Sequence, residues 1–175
     1  MIEIPGYPIE RAIPLFSHNY YRYLGQALSN ARLRIWASIF LVDARVRHDP
    51  HLLVRGIFRR LAAAKQRNLD VRILIGGISD NHQLRISNLT SIAYLQTLRI
   101  PTREFRAPNR NSTHSKYILV DNDTTIVGSH NWTNSAFTKN LENSVAVLAE
   151  PLARDLQNEF EINWDLSREG NEHGE

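Results

Sequence analysis

The first half of the chain alternates amphipathic segments with short apolar runs, and this order strongly restricts the fold. Residues 33–41 alternate with a period of two and are rich in aromatic and β-branched side chains, which indicates a buried strand. The other segments predict helices over 14–29, 52–68 and about 88–98, loops over 43–51 and 79–88, and a strand over 71–77. Such an order predicts an α/β fold with a mixed, largely parallel central sheet flanked by helices on both faces.

The second half is richer in strands. Two apolar runs, 117–121 and 124–128, are joined by Asn122-Asp123, which predicts a short hairpin. A further strand over 143–148 precedes a terminal amphipathic helix over about 151–166. We therefore expect one catalytic domain over 1–168 and a frayed acidic tail over 169–175.

Composition excludes several classes of protein. The 175 residues contain no cysteine, which rules out disulfides, thiolate zinc sites, iron–sulfur clusters and a cysteine nucleophile. No apolar run approaches the ~20 residues that cross a bilayer, and the first residues do not form a signal peptide. We expect a soluble, cytoplasmic protein without stable membrane association. The alternative, an exported protein whose leader has been trimmed, stays open.

The charge is unevenly distributed. Residues 1–149 carry 19 basic and 10 acidic side chains, and 18 of the 21 basic residues of the chain are arginine. Because the planar guanidinium suits bidentate contact with phosphate, this bias favours a phosphate-bearing partner. The alternative interpretation is a well-solvated surface followed by an acidic tail.

One stretch, 113–148, concentrates chemically useful side chains. His114 and Lys116 lie two residues apart at the start of a strand, so both project from one face. If 124–128 returns antiparallel to 117–121, Gly128, Ser129 and Asn131 come back beside His114. Such a cluster is rich in hydrogen-bond donors and suits the non-bridging oxygens of a phosphodiester.

The residue types suggest a role for each member of this cluster. A neutral His114 can attack phosphorus, with Glu142 as the acidic group that orients it. Lys116 and Asn131 would neutralise the charge that builds on the equatorial oxygens. Asp121, which precedes Asn122-Asp123, is interpreted as a structural acid that caps the turn.

The spacing resembles the signature of the phospholipase D superfamily, H-x-K-x4-D-x6-G-S-x-N, with every element present from His114 to Asn131. The resemblance extends from about Ala31 to Trp164 and is greatest to the small bacterial endonucleases, which carry one motif per chain. It implies a phosphohistidine intermediate, no metal or other cofactor, and Glu142 as the acidic partner of the histidine. A second motif's histidine protonates the leaving group, so the resemblance also implies a homodimer with a shared active site.

The other histidines are given no catalytic role. His130 lies between Ser129 and Asn131, so on an extended path it should face away from the phosphate. His48 and His51 lack nearby ligands beyond Asp43 and Asp49, and we predict no metal site.

The substrate is predicted to be nucleic acid. Four arginines precede the motif and are assigned to the nucleic-acid backbone: Arg99, Arg103, Arg106 and Arg110. We expect cleavage of DNA, or of RNA, without sequence preference. Three alternatives stay open: a lipid phosphodiesterase, a non-catalytic nucleic-acid-binding module, and a nuclease domain or subunit of a larger assembly.

Overall fold

Helices and strands alternate along the chain in the computed structural model, which describes residues 6–45, 53–77, 81–108 and 112–167. Within these ranges the strands are β1 (Arg11–Phe16), β2 (Arg34–Ile39), β3 (Asp70–Ile75), β4 (Thr102–Glu104), β5 (Lys116–Val120), β6 (Thr124–Gly128) and β7 (Asn143–Leu148). The helices are α1 (Ser17–Asn30), α2 (Leu53–Gln66), α3 (His82–Thr97), α4 (Asn134–Thr138) and α5 (Glu150–Leu166).

The described strands form one mixed sheet in the order β1-β7-β6-β5-β2-β3-β4. Strands β2, β3 and β4 run parallel, as expected for strands connected by helices. Strand β5 instead joins β2 antiparallel, and β5, β6 and β7 continue as antiparallel neighbours. The predicted mixed α/β sheet with flanking helices is confirmed, but the sheet is not largely parallel, because four of the six pairings between the described strands are antiparallel.

The start of the chain differs from the expectation. The periodicity predicted a helix from residue 14, whereas residues 11–16 form β1 and the helix begins at Ser17. Strand β1 pairs with β7 from Arg11 opposite Leu148 to Phe16 opposite Asn143. Pro14 is tolerated because β1 lies at the edge of the sheet, where a missing N–H donor is least costly.

Three other elements were assigned wrongly or missed, and one of them is the short helix α4, which was not predicted. Helix α3 begins at His82, inside the predicted loop 79–88, because the Asn81 side chain caps it by accepting hydrogen bonds from Gln83 N and Leu84 N. Strand β4 has only three residues and was not predicted, since its pairing with β3 rather than its own pattern defines it.

The sheet is covered on its two faces by different helices. On one face a large apolar cluster packs α1 and α2 against the sheet and includes Leu24, Ile57 and Phe58, all fully buried. On the other face Trp36 of β2 stacks with Phe160 of α5, whose ring in turn stacks on Trp164. Burial of each large apolar side chain contributes roughly 1.5–3 kcal/mol, so these two clusters hold the layers together.

The described helices are all too short or too polar to cross a membrane. The predicted tail, 169–175, and the pair His48 and His51 lie outside the described residues.

Candidate active site

The candidate site lies where the ends of β2, β5 and β6 meet. Lys116 is the first residue of β5, and the hairpin register pairs Tyr117 with Val127. Gly128 therefore ends β6 beside the start of β5, as the antiparallel return required. The segment that follows β2 reaches the same place, because Phe40 N donates to Ser115 O over 2.9 Å.

His114 and Lys116 contact each other and share an aromatic support. Lys116 Nζ lies 3.1 Å from His114 Nδ1 and donates to His114 O over 2.7 Å. The Phe40 ring lies beneath both, with its centroid 4.4 Å from that of His114 and 4.9 Å from Nζ. An ammonium group only donates, so in this arrangement Nδ1 accepts and the neutral ring carries its proton on Nε2.

Burial lowers the pKa of Lys116, and the negative charge of Glu142 opposes this shift. The ammonium therefore sits in a partly desolvated position, where its interaction with an anionic oxygen is stronger than in water.

Ser129 and Glu142 form the second part of the cluster. Ser129 Oγ donates to Glu142 Oε2 over 2.5 Å and accepts from Asn143 N over 3.0 Å, while Asn140 Nδ2 donates to Glu142 Oε1 over 3.1 Å. Ser17, at the start of α1, accepts from Glu142 N over 3.0 Å. Glu142 was expected to orient His114, whereas within this chain both of its carboxylate oxygens accept from other side chains.

Asn131 is held by the segment after β2. Its Oδ1 accepts from Leu41 N over 3.2 Å, and Trp132 N donates to Leu41 O over 3.0 Å. Because Oδ1 is engaged, the donors on Nδ2 are the part of this amide that can serve a ligand oxygen.

His130 faces the interior, away from this cluster. It is fully buried, stacks on Tyr20 at a centroid distance of 3.8 Å, and places Nδ1 2.8 Å from Ser144 Oγ. Burial lowers its pKa, and the charge of Glu142 opposes the shift. Its neighbours Ser129 and Asn131 are correspondingly turned outward.

Asp121 and Gly128 determine the path of the backbone around the cluster. Asp121 has a φ of 56°, in the left-handed region, and its carboxylate accepts from Arg32 N, Leu33 N and Arg34 N, the closest at 2.7 Å. It thereby ties the turn after β5 to the start of β2. A Cβ on Gly128 would lie 2.4 Å from Asn143 O, so a side chain there would push β6 away from β7.

Two of the arginines assigned to nucleic acid, Arg99 and Arg103, lie away from this cluster. Arg103 stacks on Trp164 at 4.5 Å, and Arg106 Nη2 lies 3.0 Å from Glu104 Oε2. Arg99 precedes β4, which runs parallel to β2 and β3, so it lies at the end of the sheet opposite His114. The structure does not bring Arg99 or Arg103 to the cluster, and Arg110 lies outside the described residues.

Sequence reasoning missed Phe40, Asn140 and Ser17. Phe40 ended a strand pattern as one more apolar residue, and no local signal distinguishes a core aromatic from one that supports a histidine. The contacts of Ser17 with the Glu142 region join distant segments that meet only in the folded chain. Asn140 lies two residues from Glu142, but this spacing alone does not indicate a contact.

Residues 24–164 match the family described as "Cardiolipin synthase, PLD-like domain". Cardiolipin synthase A of Pseudomonas entomophila is 27% identical over 146 residues, covering 82% of this chain and 28% of the relative. Cardiolipin synthase A of Pseudomonas aeruginosa (strain LESB58) is 31% identical over 113 residues, covering 65% of this chain and 22% of the relative. The chain thus spans less than a third of these curated relatives.

Solved structures share the fold over nearly the whole chain. Nuc of Salmonella typhimurium, described as a phospholipase D family member, has a TM-score of 0.73 and 27% identity, covering 90% of this chain and 96% of that one. Phosphatidylserine synthase of Haemophilus influenzae has a TM-score of 0.75 at 14% identity and covers 97% of this chain, but this chain spans only 41% of it. From the match over residues 24–164 and this shared architecture, the chain belongs to the phospholipase D-like domain family, whose members act on phosphodiesters.

Proposed function

We propose that this protein is a metal-independent endonuclease that hydrolyses DNA or RNA through an intermediate in which His114 is bonded to phosphorus. The observation that carries the proposal is the convergence of His114, Lys116, Ser129 and Asn131 at one end of the sheet. A neutral imidazole surrounded by hydrogen-bond donors suits nucleophilic attack on an anionic phosphodiester.

In the proposed reaction the unprotonated ring nitrogen of His114 attacks phosphorus, and the phosphorus–oxygen bond to one nucleoside breaks. A second histidine gives its proton to the departing oxygen, so the alcohol leaves and a phosphoramidate forms on His114. Water then attacks phosphorus, gives its proton to the second histidine, and breaks the phosphorus–nitrogen bond. Lys116 and Asn131 Nδ2 stabilise the negative charge on the non-bridging oxygens in both steps.

The second histidine is proposed to be His114 of another copy, because each chain carries one motif. An exposed apolar patch supports this pairing: Phe16, Val127 and Leu141 are 48%, 37% and 91% exposed. Phe16 and Val127 share a face of the sheet, since their partners on β7, Asn143 and Val145, lie two residues apart. This patch is continuous with the candidate site, because Leu141 precedes Glu142 and Val127 lies two residues before Ser129.

A variant pair tests the shared site. Leu141→Asp should place a charge in the patch, convert the dimer to a monomer in light scattering, and abolish turnover. Ile162→Asp is the matched control, because Ile162 is 63% exposed and belongs to α5, which contributes no residue to the patch. Full activity of a monomeric Leu141→Asp protein would refute the shared site.

Nucleic acid is favoured over lipid by the resemblance of the motif to that of the small bacterial endonucleases. The likeness to Nuc, with 27% identity and a TM-score of 0.73, supports the same choice. A lipid phosphodiesterase is the second candidate, because the curated relatives bear the name cardiolipin synthase.

The deciding experiment is a metal-free assay in EDTA with labelled DNA, RNA and phosphatidylcholine vesicles side by side. We expect nucleic acid to be cut, and His114→Ala to abolish cleavage. His82→Ala is the control, since His82 is exposed at the start of α3. Cleavage retained by His114→Ala would remove this histidine from the reaction, and turnover of lipid alone would favour the second candidate.

A further inference from the structure

Two buried polar side chains of α3 hold the backbone of residues 40–44, here called the post-β2 segment. Asn88 Oδ1 accepts from Val42 N over 2.9 Å, and Asn88 Nδ2 donates to Phe40 O and Gly76 O, each over 3.0 Å. Ser91 Oγ accepts from Ala44 N and donates to Val42 O over 3.0 and 2.9 Å. Asn88 and Ser91 are 3% and 0% exposed, so water does not substitute for these bonds.

The same post-β2 segment supports the candidate site. The Phe40 ring lies against His114 and beneath Lys116 Nζ. Leu41 N donates to Asn131 Oδ1, and Leu41 O accepts from Trp132 N. Phe40 orients the His114 ring and Leu41 orients the Asn131 amide. Asn88 binds the backbone at this place, through Phe40 O and Val42 N.

The backbone around Phe40 is also confined sterically. A Cβ on Gly76 would lie 2.3 Å from Phe40 O, so β3 approaches this carbonyl closely and Asn88 bridges the two strands at that point. An apolar residue at 88 would leave Val42 N and Phe40 O without these partners. A buried polar network in which every group is hydrogen-bonded favours one backbone arrangement over similar ones, and it does so more strongly than apolar packing.

We propose that Asn88 is a positioning residue for catalysis, which acts on His114 and Asn131 through the post-β2 segment. It contacts neither side chain. Its three hydrogen bonds fix the backbone of Phe40 and Leu41. They thereby fix the Phe40 ring that supports His114 and the Leu41 N–H that binds Asn131. The catalytic part of this inference rests on the proposed function, and its effect on the backbone does not.

The test compares Asn88→Ala with Ser87→Ala in the full chain. Ser87 is a matched control because it is buried on the same helix and its Oγ donates to Gln83 O within α3, not to the post-β2 segment. Amide hydrogen exchange is measured at Val42 and Leu41, and kcat and KM are measured on the nucleic acid that the wild type cuts.

We expect Asn88→Ala to speed exchange at Val42 and also at Leu41, which Asn88 does not bind. It should lower kcat by about tenfold to a hundredfold with KM within about threefold, because small displacements of reacting groups cost that much. Ser87→Ala should change neither. Asn88→Asp keeps the acceptor for Val42 N, and its activity relative to the wild type should rise as the pH falls, since the protonated acid regains a donor.

Faster exchange at Val42 alone, with kcat equal to that of Ser87→Ala, would overturn the proposal and leave Asn88 a purely structural residue. If Asn88→Ala does not fold, the pH dependence of Asn88→Asp decides, and a constant ratio to the wild type would count against it. If the wild type cuts no phosphodiester, the proposed function fails, while exchange at Leu41 still decides whether Asn88 orders the segment.

Discussion

Replacing Asp121 tests whether the aspartate of the motif is structural. Asp121→Ala removes a carboxylate that accepts from three backbone N–H groups at the start of β2, and it leaves alanine at a φ of 56°. Hydrogen bonds to a charged group contribute about 1.5–3 kcal/mol. Because the backbone around Arg32 and Leu33 is exposed to water, we take the lower end of this range.

The left-handed backbone adds about 1 kcal/mol for alanine. We therefore expect Asp121→Ala to lower the free energy of unfolding by about 2–3 kcal/mol. Asp121→Asn should cost about 1 kcal/mol, because asparagine keeps a carbonyl acceptor and tolerates this backbone. Asp123→Ala is the matched control in the same turn, since the Asp123 carboxylate accepts from Thr124 Oγ1 at the surface, and it should stay within about 0.5 kcal/mol.

Urea unfolding followed by circular dichroism measures these differences, provided that the slope with denaturant is unchanged. Turnover of Asp121→Asn should persist at temperatures where that variant is folded. An Asp121→Ala protein as stable as the wild type but inactive would refute the reasoning and assign Asp121 to the chemistry.

Further variants test the backbone and the buried histidine. Gly128→Ala should lower the free energy of unfolding by more than about 2 kcal/mol and abolish turnover, because the new Cβ would lie 2.4 Å from Asn143 O. Gly6→Ala is the control and should be neutral, since an added Cβ there meets nothing within 4 Å. Equal stability of the two variants would contradict this expectation. The folded pKa of His130 lies below 6.5, so the stability that its neutral form provides is complete above pH 6.5 and is lost as the pH falls through the folded value. When urea unfolding is compared at pH 7.5 and pH 5, His130→Phe should lack this loss of stability, whereas His82→Gln should retain it. If the stability of His130→Phe and of the wild type changed equally between the two pH values, His130 would not titrate as its burial requires.

The sequence predicted where several candidate residues lie, because the motif combines with the simplest strand geometry. His114, Lys116 and Asn131 meet because a hairpin returns antiparallel, and both the turn and the apolar runs are visible locally. The inward direction of His130 follows from the alternation of an extended chain, and its burial agrees with that expectation.

The predictions that were wrong or missing have a common cause, because the features concerned depend on distant segments of the chain. Strand β1 exists because β7 provides its hydrogen-bond partners, so the apolar spacing of Phe16 and Tyr20 was assigned to a helix that began too early. Glu142 was assigned to His114 from the residue types and from the resemblance, whereas within this chain its carboxylate accepts from Ser129, at the neighbouring ends of the paired strands β6 and β7. The position of the arginines depends on the direction of β4, which three residues of local sequence do not encode.

The proposed chemistry requires His114 to form a bond to phosphorus. The direct measurement is rapid quenching of the protein with bis(p-nitrophenyl) phosphate in EDTA, followed by mass spectrometry of the peptide that contains His114. We predict a phosphoryl adduct on that imidazole which is stable in base and labile in acid, and which is absent from His114→Ala. Continued turnover with His114 unmodified at every quench time, and with a strict requirement for a divalent cation, would contradict the account.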